Sequence, residues 1–196
     1  MRRKGFDTDE ALLAALSSFW EWGFEGTNMP ELLESMKLGR ASFYNAFDSK
    51  REVFLKCLDI YFANVDAHLT ARTASSKSGD QAVTTLIDGI LEVARNTRAG
   101  TSGWRGCFLG NTALELGAND REIADRLRSG IEVLKAQFKR ALSLPSASRT
   151  RRSDIEINGL ALHLVAGIQG LLVLAKSGLA ETDIKAARAA LLASLH

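Results

Sequence analysis

The eight residues RASFYNAF, which begin at Arg40, place small and polar side chains on one helical face and aromatic rings on the other. On the polar face, Arg40 can bond guanine or a phosphate, Asn45 can bond adenine or a phosphate, and Ala41 can contact a thymine methyl group. Ser42 is small and polar, and the hydroxyl of Tyr44 suits a phosphate oxygen. These residue types predict a helix that binds in the major groove of DNA.

A short helix and a tight turn precede this segment and would position it. Thr27 or Asn28 caps the short helix, and the turn follows at residues 37–39. Phe43 and Phe47 would pack the second helix against the helices before it. The order of helix, turn and helix predicts a helix-turn-helix whose second helix carries the DNA contacts.

Capping residues, glycine stops and apolar periodicity along the chain predict an all-α fold of nine helices. No alternation with period two is sustained, so no sheet is expected. Helix 1 begins after Asp7 and ends at Gly23. Helix 5 follows Asp80, and helix 7 follows Asn119 or Asp120. The other predicted helices after the turn span about residues 40–47, 49–73, 107–116, 154–176 and 183–195.

Length and composition exclude several classes of protein. A chain of 196 residues makes one or two domains, and its 46% hydrophobic content is ordinary for a globular protein. The sequence contains no run of 18 apolar residues, so no membrane span is expected. Two distant cysteines, Cys57 and Cys107, indicate reduced thiols in a cytoplasm. Because no catalytic set, phosphate loop or metal-ligand spacing occurs, we expect neither an enzyme nor a bound cofactor or metal.

Charge alone does not indicate nucleic-acid binding. The net charge is +2, and the first 52 residues hold nine carboxylates against seven basic side chains. The basic residues are instead clustered where phosphates would pass, at the N-terminal arm, the turn and the start of helix 4. The acidic balance leaves one alternative open, a helical small-molecule binding or carrier protein that does not bind DNA.

The N-terminal motifs resemble those of the TetR family of bacterial transcriptional regulators. The resemblance rests on Phe19, Gly23-Phe24, Gly26-Thr27, Leu32-Leu33, Phe43 to Phe47, and Ser49 to Phe54. It implies a helix-turn-helix domain at residues 1–48, and a ligand-binding and dimerisation domain at residues 49–196. It also implies that Thr27, Tyr44 and Lys50 contact DNA, with Tyr44 and Lys50 on the phosphate backbone. Where this chain has Gly39, many relatives have Ser or Thr, and where it has Asn45 and Ala46, many have His. The operator sequence of a relative therefore cannot be assigned to this protein.

A second motif, GCFLGNTALE from residue 106, is similar to the start of helix 6 in a NemR-like subgroup of that family. There a cysteine at this position senses electrophiles or oxidants, which implies the same for Cys107. A helix N-terminus stabilises a thiolate, and Arg105 would add positive charge. The alternative is that Cys107 is a small apolar wall of a pocket.

Other side chains of the C-terminal part are candidates for that pocket. Asn111 and Glu115 are one helical turn apart and share a face, where they would orient a ligand. The alternative for Glu115 is that it pairs with a buried base or caps a neighbouring helix. His163 on the apolar helix 8 is either a satisfied core histidine or a ligand contact. The remaining candidates are Trp104, Phe108 and Phe138.

Helix 8 is apolar nearly all round and contains several glycines, each of which costs a helix roughly 1 kcal/mol relative to alanine. Close approach of helices is the usual reason for such glycines, so helices 8 and 9 are predicted to form an intermolecular four-helix bundle. A monomeric core is the alternative. The predicted dimer contacts are Leu160, Leu164, Gly167, Ile168, Leu171 and Leu191.

Together these features predict a homodimeric, ligand-responsive repressor of transcription. Its partners would be a pseudo-palindromic double-stranded DNA operator and a small-molecule or electrophile effector, whose identity the sequence does not name.

Overall fold

The computed structural model of the protein describes residues 6–95, 103–146 and 153–195. These ranges form nine α-helices and no strand, which confirms the all-α prediction. The helices are α1 (Thr8–Gly26), α2 (Met29–Ser35), α3 (Arg40–Ala46), α4 (Lys50–Thr73), α5 (Gly79–Ala94), α6 (Phe108–Leu116), α7 (Arg121–Ser143), α8 (Asp154–Lys176) and α9 (Glu181–Ala193).

Side-chain caps explain where several helices begin. Asp7 accepts from the backbone N–H groups of Asp9 and Glu10, and Asn28, rather than Thr27, caps α2 in a capping box. Ser78, rather than Asp80, caps α5. Among the predicted starts, α5 and α9 each move by two residues, to Gly79 and Glu181.

Two compact units make up the described chain. One comprises the residues up to Ala63 together with Asn111–Leu127, and the other comprises Asn64–Gly110 together with the residues from Arg128 on. The predicted boundary after residue 48 does not coincide with this division, because α4, α6 and α7 each contribute residues to both units. The functional division at residue 48 stays a prediction.

The first unit is centred on aromatic rings that fix α1 against the start of α4. Phe19 packs edge-on against Phe54 with ring centroids 5.0 Å apart, and Phe24 packs against Phe54 at the same distance. Trp20 makes a similar contact with Tyr61 at 4.9 Å. Such edge-to-face pairs add to the area that they bury, so this cluster holds α1 and α4 in place beside the helix-turn-helix.

The second unit has α8 at its centre, packed against α5 and α9. Of the helices in the described ranges, α8 alone is long and apolar enough to cross a membrane by length and composition. Its packing against α5 and α9 buries only part of its surface. Gly167 lies against Leu191 of the same chain, where a Cβ would come within 2.5 Å of Leu191 Cδ1. This glycine therefore permits close packing of α8 and α9.

Candidate nucleic-acid interface and effector region

The α3 helix presents one polar face to solvent and buries the other. Phe43 and Phe47 are buried, with ring centroids 5.5 Å apart. Gly39 precedes the helix in an extended conformation and contributes no side-chain cap. Tyr44 is 51% exposed, and its ring packs edge-on against Phe43. The exposed predicted contacts are Arg40, Ala41, Ser42, Tyr44 and Asn45.

Thr27, a predicted DNA contact, is fully buried. Its hydroxyl donates to the carbonyl oxygen of Gly23 at 2.7 Å and contacts that of Ser18 at 3.4 Å. The prediction of a DNA contact by this side chain does not fit its burial. Thr27 instead ties the start of α2 to the end of α1.

Lys50, the predicted phosphate contact at the start of α4, is engaged within the chain. Its ammonium group donates to the carbonyl oxygens of Phe24 at 2.7 Å and Thr27 at 2.9 Å, and lies 4.2 Å from the Phe24 ring centroid. A lysine ammonium has three donors, so one remains for a phosphate. Sequence reasoning missed the two carbonyl partners because they lie more than 20 residues away.

The neighbouring Arg51 also has partners within its unit. Its guanidinium donates to both carboxylate oxygens of Asp120 and pairs with Glu122 at 2.8 Å. The hydrogen bond from Arg51 lowers the pKa of Glu122. The pKa of Asp120 is lowered most by the hydrogen bond from the backbone N–H of Ile123, and also by the hydrogen bond from Arg51. Arg51 therefore joins the start of α4 to the start of α7. The N-terminal basic arm, Arg2 to Lys4, lies outside the described residues.

Cys107 and Gln169 meet in the interior of the second unit. The Gln169 side-chain amide donates to Cys107 Sγ at 3.4 Å, and its carbonyl oxygen lies 2.7 Å from where a Cβ on Gly110 would be. Cys107 is buried, as are Phe108 and Phe138. Sequence reasoning missed Gln169, although an amide in the middle of the apolar α8 was a usable signal. Burial raises the pKa of the other thiol, Cys57, which favours a packing role for that side chain.

Trp104 lies three residues before Cys107. It pairs with Arg95 in an antiparallel bridge, and the Arg95 guanidinium lies 4.1 Å from the Trp104 ring centroid. Arg95 also pairs with Glu181 at the start of α9. Arg105 donates to the carbonyl oxygen of Val93. Trp104 is half-buried, so it can form an outer wall of this region.

The remaining predicted pocket residues are His163, Glu115 and Asn111. His163 is exposed on α8 and bonds the hydroxyl of Ser194 at 3.1 Å, so it is not a core histidine. Glu115 accepts hydrogen bonds from the backbone of Phe24 and Glu25. Asn111 also belongs to the first unit and is half-buried. Of the seven predicted pocket residues, Asn111 and Glu115 belong to the first unit and the other five to the second.

The α8 helix exposes an apolar stripe that differs from the predicted dimer contacts. Leu164, Ile168 and Leu171 are buried by their own chain, and Leu160 and Leu191 are half-buried. The opposite side carries exposed residues at spacings of three and four, so they share one face. These residues are Ile155, Gly159, Leu162, Ala166, Gly170 and Val173, and we call them the α8 outer stripe.

Family models match both parts of the chain. The model described as bacterial regulatory proteins, tetR family, matches residues 11–57, and the model described as tetracyclin repressor-like, C-terminal domain, matches residues 81–191. The chain belongs to the TetR family. TetR-family proteins are transcriptional regulators, so the helix-turn-helix prediction is confirmed at the level of the family.

Individual TetR-family proteins are similar over nearly the whole chain. The HTH-type transcriptional regulator YezE of Bacillus subtilis is 27% identical over 89% of each chain. The HTH-type transcriptional repressor ComR of Escherichia coli is 27% identical over 90% of this chain and 83% of its own. The fold matches that of a CifR cysteine mutant solved with a 26-base-pair operator, with a TM-score of 0.82 and 24% identity over both full chains. Reduced NemR of E. coli matches with a TM-score of 0.79, at 20% identity over 93% of each chain.

Proposed function

We propose that this TetR-family protein is a cytoplasmic, homodimeric repressor that binds a pseudo-palindromic operator and leaves it when an effector binds. The observation that carries the proposal is the α3 surface, where every predicted base or phosphate contact is exposed while Phe43 and Phe47 anchor the helix. A helix of this shape can enter the major groove without losing its packing. ComR is named a repressor and the CifR mutant was solved with operator DNA, which supports a proposal of repression through operator binding.

In this proposal α3 supplies the base contacts, with Arg40 and Asn45 as hydrogen-bonding readers and Ala41 beside a thymine methyl. Tyr44 and the third donor of Lys50 bind phosphates and fix the register. A two-fold dimer would place two α3 helices about 34 Å apart, on successive major grooves. Such a dimer matches an operator with two related half-sites.

The direct test is a gel shift with the DNA that flanks the gene of this protein. We expect a saturable complex that survives excess unrelated DNA, because specific sites bind about 10³-fold or more tighter than non-specific DNA. Equal affinity for all DNA, or none, would contradict the proposal and favour the small-molecule carrier.

In the proposed homodimer, the second copy of the chain packs against the α8 outer stripe. A helix with apolar residues on both sides needs a partner on each, and α5 and α9 cover only one side of α8. Gly159 and Gly170 have no atom within 4 Å of an added Cβ. These glycines would let a second helix approach closely, which is the role that the sequence assigned to the glycines of α8.

The effector of this proposal binds in the interior around Cys107, Gln169 and Phe138. It would favour a conformation whose α3 helices no longer fit adjacent grooves, and so shift the population away from DNA. A non-covalent ligand and a thiol-reactive electrophile are both compatible with a buried thiol beside an amide.

Lys50→Ala should weaken binding to every DNA sequence and make the slope of log affinity against log salt shallower by about one unit. The reason is the loss of one phosphate contact through the third donor. Anisotropy titrations at several salt concentrations measure this slope, with Lys77→Ala as the charge-matched control. A weaker affinity with an unchanged slope would show that Lys50 acts only on the carbonyl oxygens of Phe24 and Thr27.

If Cys107 is a sensor, treatment with N-ethylmaleimide or hypochlorite should release the operator from the native protein but not from Cys107→Ser. An adduct adds bulk beside Gln169 in a packed interior, where added volume typically costs about 1–3 kcal/mol. Anisotropy records the release, and mass spectrometry locates the adduct. Equal release from both proteins, with no adduct at Cys107, would end the sensor hypothesis and leave a non-covalent effector.

A further inference from the structure

The α1 helix is interrupted at Gly23, six residues before α2 begins. Gly23 has φ +79° and ψ 176°, a conformation open almost only to glycine. The residues after the break start a new helical turn that ends at Gly26. Because the first N–H groups of a helical turn have no partner within the helix, Phe24 and Glu25 each present a backbone donor at this point.

The Glu115 carboxylate binds both of these donors. Oε2 accepts from the N–H of Phe24 at 3.1 Å, and Oε1 accepts from the N–H of Glu25 at 2.8 Å. A Cβ on Gly23 would lie 2.8 and 2.9 Å from the two carboxylate oxygens. Glycine is therefore required here twice, by its φ angle and by the close approach of Glu115. The carboxylate acts as an N-cap supplied from a distant part of the sequence.

Side chains also bind the carbonyl oxygens of the same short segment. Lys50 donates to the carbonyl oxygens of Phe24 and Thr27, and the Thr27 hydroxyl donates to that of Gly23. Residues 23–27 are thus held by an anion on their N–H groups and by a cation on their carbonyl groups. Asn28, the cap of α2, follows immediately. The segment therefore fixes how the helix-turn-helix leaves α1.

We propose that Glu115 is a positioning residue for operator binding. In this role it touches neither base nor phosphate and acts through the backbone of Phe24 and Glu25, which it holds in the arrangement that presents α3 to DNA. A pre-ordered binding element loses less conformational entropy on association. The inference rests on the proposed function, and it assigns a determinant of operator affinity to a residue of α6, outside the helix-turn-helix.

The test compares Glu115→Ala and Glu115→Gln with the exposed control Glu132→Ala. We expect Glu115→Ala to weaken operator binding about tenfold, the factor that corresponds to roughly 1.4 kcal/mol. Glu115→Gln keeps one acceptor oxygen and should fall between Glu115→Ala and the native protein. The salt slope should stay unchanged, because no phosphate contact is lost. Removing a negative charge would by itself tighten binding to DNA, so weaker binding separates positioning from charge.

Amide hydrogen exchange supplies a readout at the contact itself. The amides of Phe24 and Glu25 should exchange faster in both Glu115 variants, while those of residues 11–20 remain protected as in the native protein. Faster exchange with operator affinity equal to that of Glu132→Ala would overturn the proposal, as would unchanged exchange or a changed salt slope. If Glu115→Ala does not fold, Glu115→Gln decides by the same criteria. If the native protein binds no operator, the proposed function fails, whereas exchange still reports whether Glu115 caps the segment.

Discussion

Leu162→Glu, in the middle of the α8 outer stripe, is expected to convert the dimer into monomers and to abolish operator binding. Leu162 is 52% exposed in the single chain, so a glutamate there remains solvated in the monomer. In the dimer, two symmetry-related carboxylates would be buried close to each other. An unpaired buried charge costs several kcal/mol, and each half-site would then be bound separately and weakly.

Light scattering and operator titration of Leu162→Glu measure the two consequences. Leu144→Glu is the matched control, because Leu144 is 39% exposed at the end of α7 and lies outside the stripe. The control should remain dimeric and bind the operator. A Leu162→Glu protein that stays a tight dimer would show that the dimer interface lies on another surface. Gly167 is unsuitable for this test, because its neighbour Leu191 belongs to the same chain.

The second large effect is expected on α3, where Arg40→Ala and Asn45→Ala should relax recognition at particular base pairs. Each side chain is exposed and can form a bidentate contact, and a good contact of this kind discriminates against the wrong base by about 1–3 kcal/mol. We therefore expect operator affinity to fall about ten- to hundredfold. Affinity for unrelated DNA should fall much less for Asn45→Ala, which removes no charge.

Titrations against operators changed at one base pair at a time identify the contact. Each variant should bind all four base pairs equally at the position that its missing side chain reads. Arg121→Ala, at the exposed start of α7, is the charge-matched control for Arg40→Ala and should keep the native preference. If Arg40→Ala and Asn45→Ala both keep that preference, α3 is not the reading helix.

Much of the fold was predictable because helix starts and ends depend on local chemistry. Asp7, Asn28 and Ser153 bond N–H groups within three residues of themselves, so their caps can be read from short stretches of sequence. The exposed face of α3 was equally predictable from the local sequence, because Phe43 and Phe47 alternate with polar residues at helical spacing.

Tertiary partners were the part that the sequence could not supply. Gly23 reads as a helix stop, yet the carboxylate of Glu115 lets the chain form one more helical turn beyond it. Lys50 and Thr27 have the chemistry of phosphate ligands, but each finds backbone carbonyl groups in the folded chain. Local pattern gives a side chain its chemistry and does not decide which of several suitable partners is within reach.

The sequence also could not predict which side of α8 packs against its own chain. Periodicity placed Leu164 and Ile168 together on one face, but an apolar helix has a second face that looks equally suited to burial. Packing against α5 and α9 covers the first face and leaves the α8 outer stripe exposed. Only the fold distinguishes the core side of such a helix from the side available to a second copy.

The central claim is that the exposed face of α3 reads an operator sequence. An anisotropy titration of the native protein with the flanking DNA of its own gene, and with a scrambled duplex of the same composition, tests it most directly. We predict a complex with two copies of the chain on two half-sites, about 10³-fold or more tighter than that with the scrambled duplex at the same salt concentration. Equal affinity for the two duplexes would contradict the claim.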